Sequence, residues 1–205
     1  ESDKTVQFVP LDKKHPKFLI LRRDVPQEIL QKWDELNDIL YSIKFWKWSI
    51  DMRMPLGRDV KKIGLAGSII AETQALITEF EVDDSDFHPR LVEGIPDKLE
   101  ISLEEQAARR DFRDVRVFTI DPKTARDLDD ALSCVKLDNG NFKVGVHIAD
   151  VSHYVKPGSE LDQVARSRST SVYLVQECIP MLPRQLSENL CSLNPRLDRL
   201  AFSVE

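Results

Sequence analysis

The chain is short of the residues that would mark a disulfide scaffold or a zinc module. It has three cysteines, Cys134, Cys178 and Cys191, with no CxxC spacing and no histidine at zinc-ligand distance. A structural zinc site is therefore set aside, and the three are read as reduced, mostly buried thiols of a cytosolic protein. Long apolar runs are missing, so no segment reads as a membrane-spanning helix, and no secretory signal opens the sequence. An excess of basic residues is missing too: 29 Lys and Arg stand against 35 Asp and Glu, for a net charge of −6. This argues against a bulk nucleic-acid coat protein. It leaves open an enzyme with a local phosphate site, because the distribution of charge matters more than its sum. No internal repeat is visible.

What is present fits one large domain or two small ones: 205 residues, 41% hydrophobic and 31% charged. Residues 1–95 read as one unit. Lys17 to Leu21 and Ile39 to Ile50 are strand candidates, the second carrying Tyr41, Phe45, Trp46 and Trp48. Between them Ile29, Leu30, Trp33 and Leu36 recur at helical spacing, with Asp24 as a cap and Pro26 near the first turn. Ser68 opens a second helix, Ile69 to Phe80, with Glu72 in its first turns. Short strands around a helix suggest a small barrel. Acids, Pro89, Pro96 and a polar helix-like run from Leu103 to Arg110 then form a connection, the linker proper being 96–111. A second domain occupies 112–205. Val115 to Ile120 is a strand, and Ala131 to Leu137 and Asn141 to Ile148 flank an Asn-Gly hairpin turn. Ser159 to Arg168 is a helix opened by a weak capping box, Ser171 to Val175 a strand and Leu186 to Leu190 a short helix. Leu200 to Val204 reads as a strand with no partner after it, as expected of a truncated domain.

The chemistry is concentrated in one run, Phe118 to Leu132, which holds Asp121, Asp127, Asp129 and Asp130. Carboxylates this dense repel one another and lose hydration on burial. A hard divalent cation resolves both problems, and magnesium or manganese takes such ligands alongside phosphate oxygens. Asp121 precedes Pro122 and is held extended. Asp129 and Asp130 diverge if extended and need a bend to reach one site. The bland alternative is a surface acidic loop with Asp127 as a turn cap. An EF-hand is excluded, since the central Gly and terminal Glu are missing.

Thr119 to Pro122 with Arg126 to Ala131 resembles the signature of the ribonuclease II/RNB family. Val144 to His153, Ala165 to Leu174, Ile179 to Pro183 and Leu190 to Leu193 agree with it. The likeness covers about residues 112–205 and is most like the DIS3-like exonuclease 2 group, which Gly64 to Phe87 also fit. It implies a mixed α+β chain: a cold-shock-like OB β-barrel, then the N-terminal part of an RNB catalytic domain. It further implies a processive, hydrolytic 3′→5′ exoribonuclease acting on single-stranded RNA, with 3′ oligouridine tails preferred, and releasing 5′-nucleoside monophosphates. On this resemblance Asp121, Asp127, Asp129 and Asp130 hold Mg²⁺, with Mn²⁺ able to substitute, and Asp129 is the most rate-critical acid. Tyr173 would stack on a base, and Arg166, Arg168 and Arg184 would approach phosphates. The group implies a cytoplasmic monomer that works without the exosome and off the membrane. The family's catalytic arginine would lie beyond Glu205, so these residues alone should not turn over RNA.

Tyr173 could equally be a strand-packing tyrosine, and His147 and His153 read as packing or structural hydrogen-bonding residues. Phe45, Trp46 and Trp48 read either as a stacking platform or as an ordinary aromatic strand. The competing function is a catalytically inactive RNB-fold protein that binds RNA and regulates mRNA.

Overall fold

The computed structural model describes residues 4–32 and 36–205 and divides the chain into two compact units, 1–84 and 85–205. Trp33, expected on the first helix, lies outside the described residues.

The first unit is a four-stranded sheet. β1 (Thr5–Phe8), β2 (Phe18–Leu21), β3 (Ile39–Lys47) and β4 (Leu56–Leu65) lie in the order β1-β2-β4-β3. Only β2 and β4 are parallel. The β3–β4 ladder skips register between Leu40 and Tyr41, Ser42 and Lys44, and Phe45 and Lys47. Asp59 in β4 has φ of 56°. Such bulges bend and coil a ribbon. Ile20 is fully buried and meets Val6, Val25, Ile29 and Val60 in the core. Gly57 is required there: a Cβ would stand 2.7 Å from Ile20 Cδ1. Phe45, Trp46 and Trp48 are exposed. The Trp48 indole N–H donates to the Met52 carbonyl at 3.0 Å, so the strand gives way to a turn before Ile50.

The first helix is shorter than its periodicity suggests. α1 (Gln27–Gln31) starts after Pro26, and Asp24 belongs to a preceding 3-10 turn and caps nothing. α2 (Ile69–Glu79) follows Ser68 as expected, with the Glu72 carboxylate accepting from the Gly67 amide at 2.8 Å.

The boundary falls at Asp84 rather than at residue 95, because the segment after it has apolar partners in the second unit. Phe87, Ile95 and Leu99 pack against Ala149, Leu161, Leu186, Leu190 and Cys191. The Gln185 amide donates to the Ile95 and Pro96 carbonyls at 3.2 and 3.1 Å. Residues 96–111 are thus docked, with α3 (Pro89–Val92) before them and α4 (Leu103–Ala108) capped by the Ser102 hydroxyl.

The second unit is built on an antiparallel sheet. β5 (Val117–Phe118), β6 (Asp130–Lys136), β7 (Phe142–Ala149) and β10 (Ala201–Val204) lie in the order β10-β7-β6-β5. The last strand therefore has a partner, β7. α5 (Glu160–Arg168) carries the expected cap, Ser159 accepting from the Asp162 amide at 3.2 Å. β8 (Val172–Tyr173) pairs with β9 (Cys178–Ile179), and a π-helical turn, Gln185–Leu190, closes with Cys191 N–H on the Leu186 carbonyl at 2.9 Å.

The two faces of this sheet differ. Ala131, Ser133, Gly145, His147 and Ala149 are buried, while Val144, Val146, Ile148, Phe202 and Val204 are exposed. His147 bridges the Ser203 and Ser133 hydroxyls at 2.8 and 3.0 Å, and Phe112 meets its ring edge-on. Burial lowers its proton affinity, against the opposing field of Glu205. Gly145 leaves the space this pair needs: a Cβ there would stand 2.5 Å from Ser133 Oγ and 3.0 Å from His147 Nε2. Gly145→Ala should therefore destabilise the unit by about 1–3 kcal/mol, read as a fall in the chemical-denaturation midpoint. An unchanged midpoint would show that the hydroxyl–imidazole pair moves aside freely.

Candidate functional site

The acidic run sits where the sheet begins. After β5 the chain turns at Pro122, whose carbonyl accepts from the Ala125 amide at 2.9 Å. The segment that follows is tied down residue by residue. The Ser192 hydroxyl donates to the Arg126 carbonyl at 2.7 Å and accepts from the Leu128 amide at 3.0 Å. The Leu128 carbonyl accepts from Leu193 N–H at 2.8 Å, and the Asp129 carbonyl from Ala149 N–H at 2.9 Å. Asp130 is already in β6, opposite Ile148. In a pleated strand alternate residues share a face. Within β6, Asp130 therefore shares a face with Leu132 and lies opposite to buried Ala131, while Asp127 and Asp129 precede the strand.

One of the four carboxylates senses the other three. Asp129 has its proton affinity raised first by partial desolvation and then by the charges of Asp127, Asp130 and Asp121, although it keeps solvent exposure overall. None of the four forms an ion pair among the described residues. Asp127 has one neutral partner: the Tyr173 hydroxyl donates to its Oδ2. That bond, more than burial, pushes the phenol's pKa upward. The donor chemistry suits a hard divalent cation, all oxygen and all uncompensated. The geometry is looser. Among the described residues no three His, Cys, Asp or Glu side chains stand together in a metal-ligating arrangement.

Tyr173 is brought to the acids, its hydroxyl on Asp127, and the residue is 65% exposed. The three arginines are not gathered with it. Arg166 is exposed on α5 and lines a shallow cleft with Gly158, Asp162, Gln163 and Ser167. Arg168 is committed to the protein: it donates to the Pro180 carbonyl at 3.0 Å and to Ser85, and its guanidinium lies 4.2 Å from the centre of the Phe87 ring. Arg184 donates to the Cys178 carbonyl at 2.6 Å and pairs with Glu188.

Two further side chains support this region, and the sequence alone assigns neither a role at the acids. Ser192 is one. The other is Arg109, which bridges Glu105 and Asp150 at 2.5 and 2.7 Å. Burial alone would raise Asp150, but the Ser152 hydroxyl and Arg109 outweigh it and hold the carboxyl below its usual range. Asp150 N–H in turn donates to the Leu200 carbonyl at 2.9 Å, fixing the end of β7 against which Asp129 rests. A lone serine inside a matched motif, and an arginine in a charged stretch, carry no spacing signal.

With this geometry in view, two family patterns account for most of the chain. Residues 109–205 match the RNB domain and residues 5–81 the Dis3-like cold-shock domain 2 (CSD2). The chain belongs to the RNB family, an OB-type cold-shock domain preceding RNB-domain sequence in a mixed α+β chain. Within that family it groups with DIS3-like exonuclease 2 proteins. It is 48% identical over 202 residues to the DIS3-like exonuclease 2 of Schizosaccharomyces pombe, covering 96% of this chain and 22% of the relative. It is 47% identical over 203 residues to that of Xenopus tropicalis, covering 98% and 24%. An Arabidopsis thaliana protein named inactive exonuclease DIS3L2 is 42% identical over 207 residues, covering 98% and 20%. The chain thus spans about a fifth to a quarter of the length of these relatives. Its fold matches yeast Ssd1, described as a pseudonuclease, with a TM-score of 0.76 at 24% identity, over 98% of this chain and 25% of that one. It also matches Mycoplasma genitalium RNase R in complex with ribose-methylated single-stranded RNA, with a TM-score of 0.67 at 26% identity, over 98% and 32%.

Crowding gives a signed expectation. A carboxyl whose folded pKa is raised binds more protons in the native than in the unfolded state. Its penalty is complete above the folded pKa and vanishes below the unfolded one. Asp129→Asn should therefore raise Tm by roughly 1–4 °C at neutral pH in EDTA. The gain should shrink as pH falls toward the ordinary aspartate range. A variant that melts at or below the parent temperature at neutral pH would contradict the repulsion.

Proposed function

We propose that this chain is the cold-shock and RNB portion of a magnesium-dependent, processive 3′→5′ hydrolytic exoribonuclease. Its substrate is single-stranded RNA, 3′-oligouridylated RNA among it, and its products are 5′-nucleoside monophosphates. The observation that carries the reading is the acidic run itself. Asp121, Asp127, Asp129 and Asp130 are all present, uncompensated by any basic side chain, in a segment that matches the RNB domain. By the same likeness the protein would be cytoplasmic, monomeric and independent of the exosome.

These four residues would hold Mg²⁺ or Mn²⁺. Bound there, the ion would neutralise charge at the scissile phosphate and acidify a water molecule. The chain's own contributions follow from the contacts. Asp129 would be the acid on which the rate depends most, and its carboxylate is partly desolvated and feels the three neighbouring acids that would share the ion. Tyr173 holds Asp127 through its hydroxyl and offers its exposed ring to a base, a mode of binding that tolerates any sequence. Exposed Arg166 is free to meet phosphate, whereas Arg168 and Arg184 would first have to leave their carbonyl partners.

A second reading has its own support. An RNA-binding protein without nuclease activity is consistent with the inactive Arabidopsis relative and with carboxylates not drawn into a closed ligand set. One assay separates the two. The intact protein is incubated with 5′-labelled single-stranded RNA in magnesium or in EDTA, beside Asp129→Asn. The nuclease reading predicts a magnesium-dependent ladder that collapses to a short 5′ oligonucleotide. It also predicts that Asp129→Asn loses at least about a hundredfold in rate while still binding RNA. Tight binding with no degradation at any magnesium concentration would establish the second reading instead.

A further inference from the structure

We propose that Ser192 is a positioning residue for the acidic run: its buried hydroxyl holds the two peptide groups on either side of Asp127. The side chain is fully buried, in a chain where only a few large or polar residues reach that state. A serine hydroxyl offers one donor and two acceptor positions. Here the donor is spent on the Arg126 carbonyl at 2.7 Å and an acceptor on the Leu128 amide at 3.0 Å, across 66 and 64 residues of sequence. The peptides immediately before and after Asp127 are therefore tied to one oxygen atom.

That oxygen is itself immobilised. The π-helical turn Gln185–Leu190 buries Leu186 and Leu190 in the core and delivers Cys191 and Ser192 to the acidic run. The Ser192 carbonyl accepts from the Arg199 guanidinium at 2.9 Å and from Asn194 N–H at 2.7 Å. The next residue repeats the attachment, Leu193 N–H donating to the Leu128 carbonyl at 2.8 Å. Without the hydroxyl, a part-buried carbonyl and amide lose their partners at once, and the segment between the turn at Pro122 and the anchor at Ala149 is free to shift. The separation of Asp127 from Asp129 is set over just this interval.

This inference rests on the reading of the four aspartates as cation ligands, and the test keeps the two apart. Intact Ser192→Ala, Ser192→Cys and Ser133→Ala proteins are compared with the parent. Ser133 is a buried serine whose hydroxyl bonds to His147 and not to the peptides flanking Asp127, so it reports the generic cost of losing a buried hydroxyl. Three quantities are read: Mn²⁺ affinity without RNA, hydrogen exchange of the peptide spanning 126–130, and Tm. Removing a group that orients a metal ligand commonly weakens affinity 10–100-fold. Ser192→Ala should weaken Mn²⁺ binding about tenfold and speed exchange at 126–130. Ser192→Cys, of similar volume but a poorer donor and acceptor, should fall between, and serves alone if the alanine variant does not fold. Ser133→Ala should lower Tm while leaving Mn²⁺ affinity and exchange at 126–130 unchanged. Equal Mn²⁺ affinity and equal exchange in the Ser192 variants would overturn the proposal. If the parent itself binds no Mn²⁺, the cation reading falls and exchange decides the positioning role, unchanged protection at Leu128 overturning it.

Discussion

Electrostatic repulsion among four aspartates is the constraint around which the second unit is arranged. Left to themselves, the charges on Asp121, Asp127, Asp129 and Asp130 would drive the segment outward into water, where like charges separate and are screened. Instead the backbone is fastened at Arg126, Leu128 and Asp129, on both sides of Asp127, to partners distant in sequence. Asp129 feels the result: partial desolvation first, and then the charges of its three neighbours, raise its proton affinity. No basic side chain pairs with the four among the described residues, and it is this uncompensated oxygen chemistry that the proposed cation would answer.

The remainder of the unit can be understood as the means of that restraint. The buried face of the sheet is made of small and polar residues, Ala131, Ser133, Gly145, His147 and Ala149. These let the strands carry a serine–histidine–serine bridge in place of a bulky apolar layer. The apolar cluster lies to one side, where Leu161, Leu186, Leu190 and Cys191 meet Phe87, Ile95 and Leu99. It supports the π-helical turn from which Ser192 reaches the acids. Burial pushes the Cys191 thiol up to about 11, so it is an inert core residue at neutral pH and no rival nucleophile.

Much of this was legible in the sequence. The hairpin around Asn139-Gly140 and the two helices opened by Ser68 and Ser159 stand where spacing put them, because each depends on local chemistry. What escaped was non-local. α1 is Gln27–Gln31 although the apolar periodicity continues, and Leu36, itself outside a helix, packs on the core. Residues 96–111 look like solvated linker by composition, yet Gln185, far along the chain, holds Ile95 and Pro96 in place. Arg168 reads as a phosphate ligand by charge alone, and only the fold shows Phe87 and two carbonyl groups already engaging it. Ser192 had no periodic, charged or aromatic signature to distinguish it from any other serine.

The claim on which the account depends is that the crowded carboxylates exist to bind a divalent cation. Mn²⁺ titrated into the intact protein without RNA, followed by electron paramagnetic resonance, tests it directly when compared with a variant carrying Asn at 121, 127, 129 and 130. The account predicts saturable binding in the parent that is lost in the variant. Equal binding by the two proteins, or none in the parent, would contradict it.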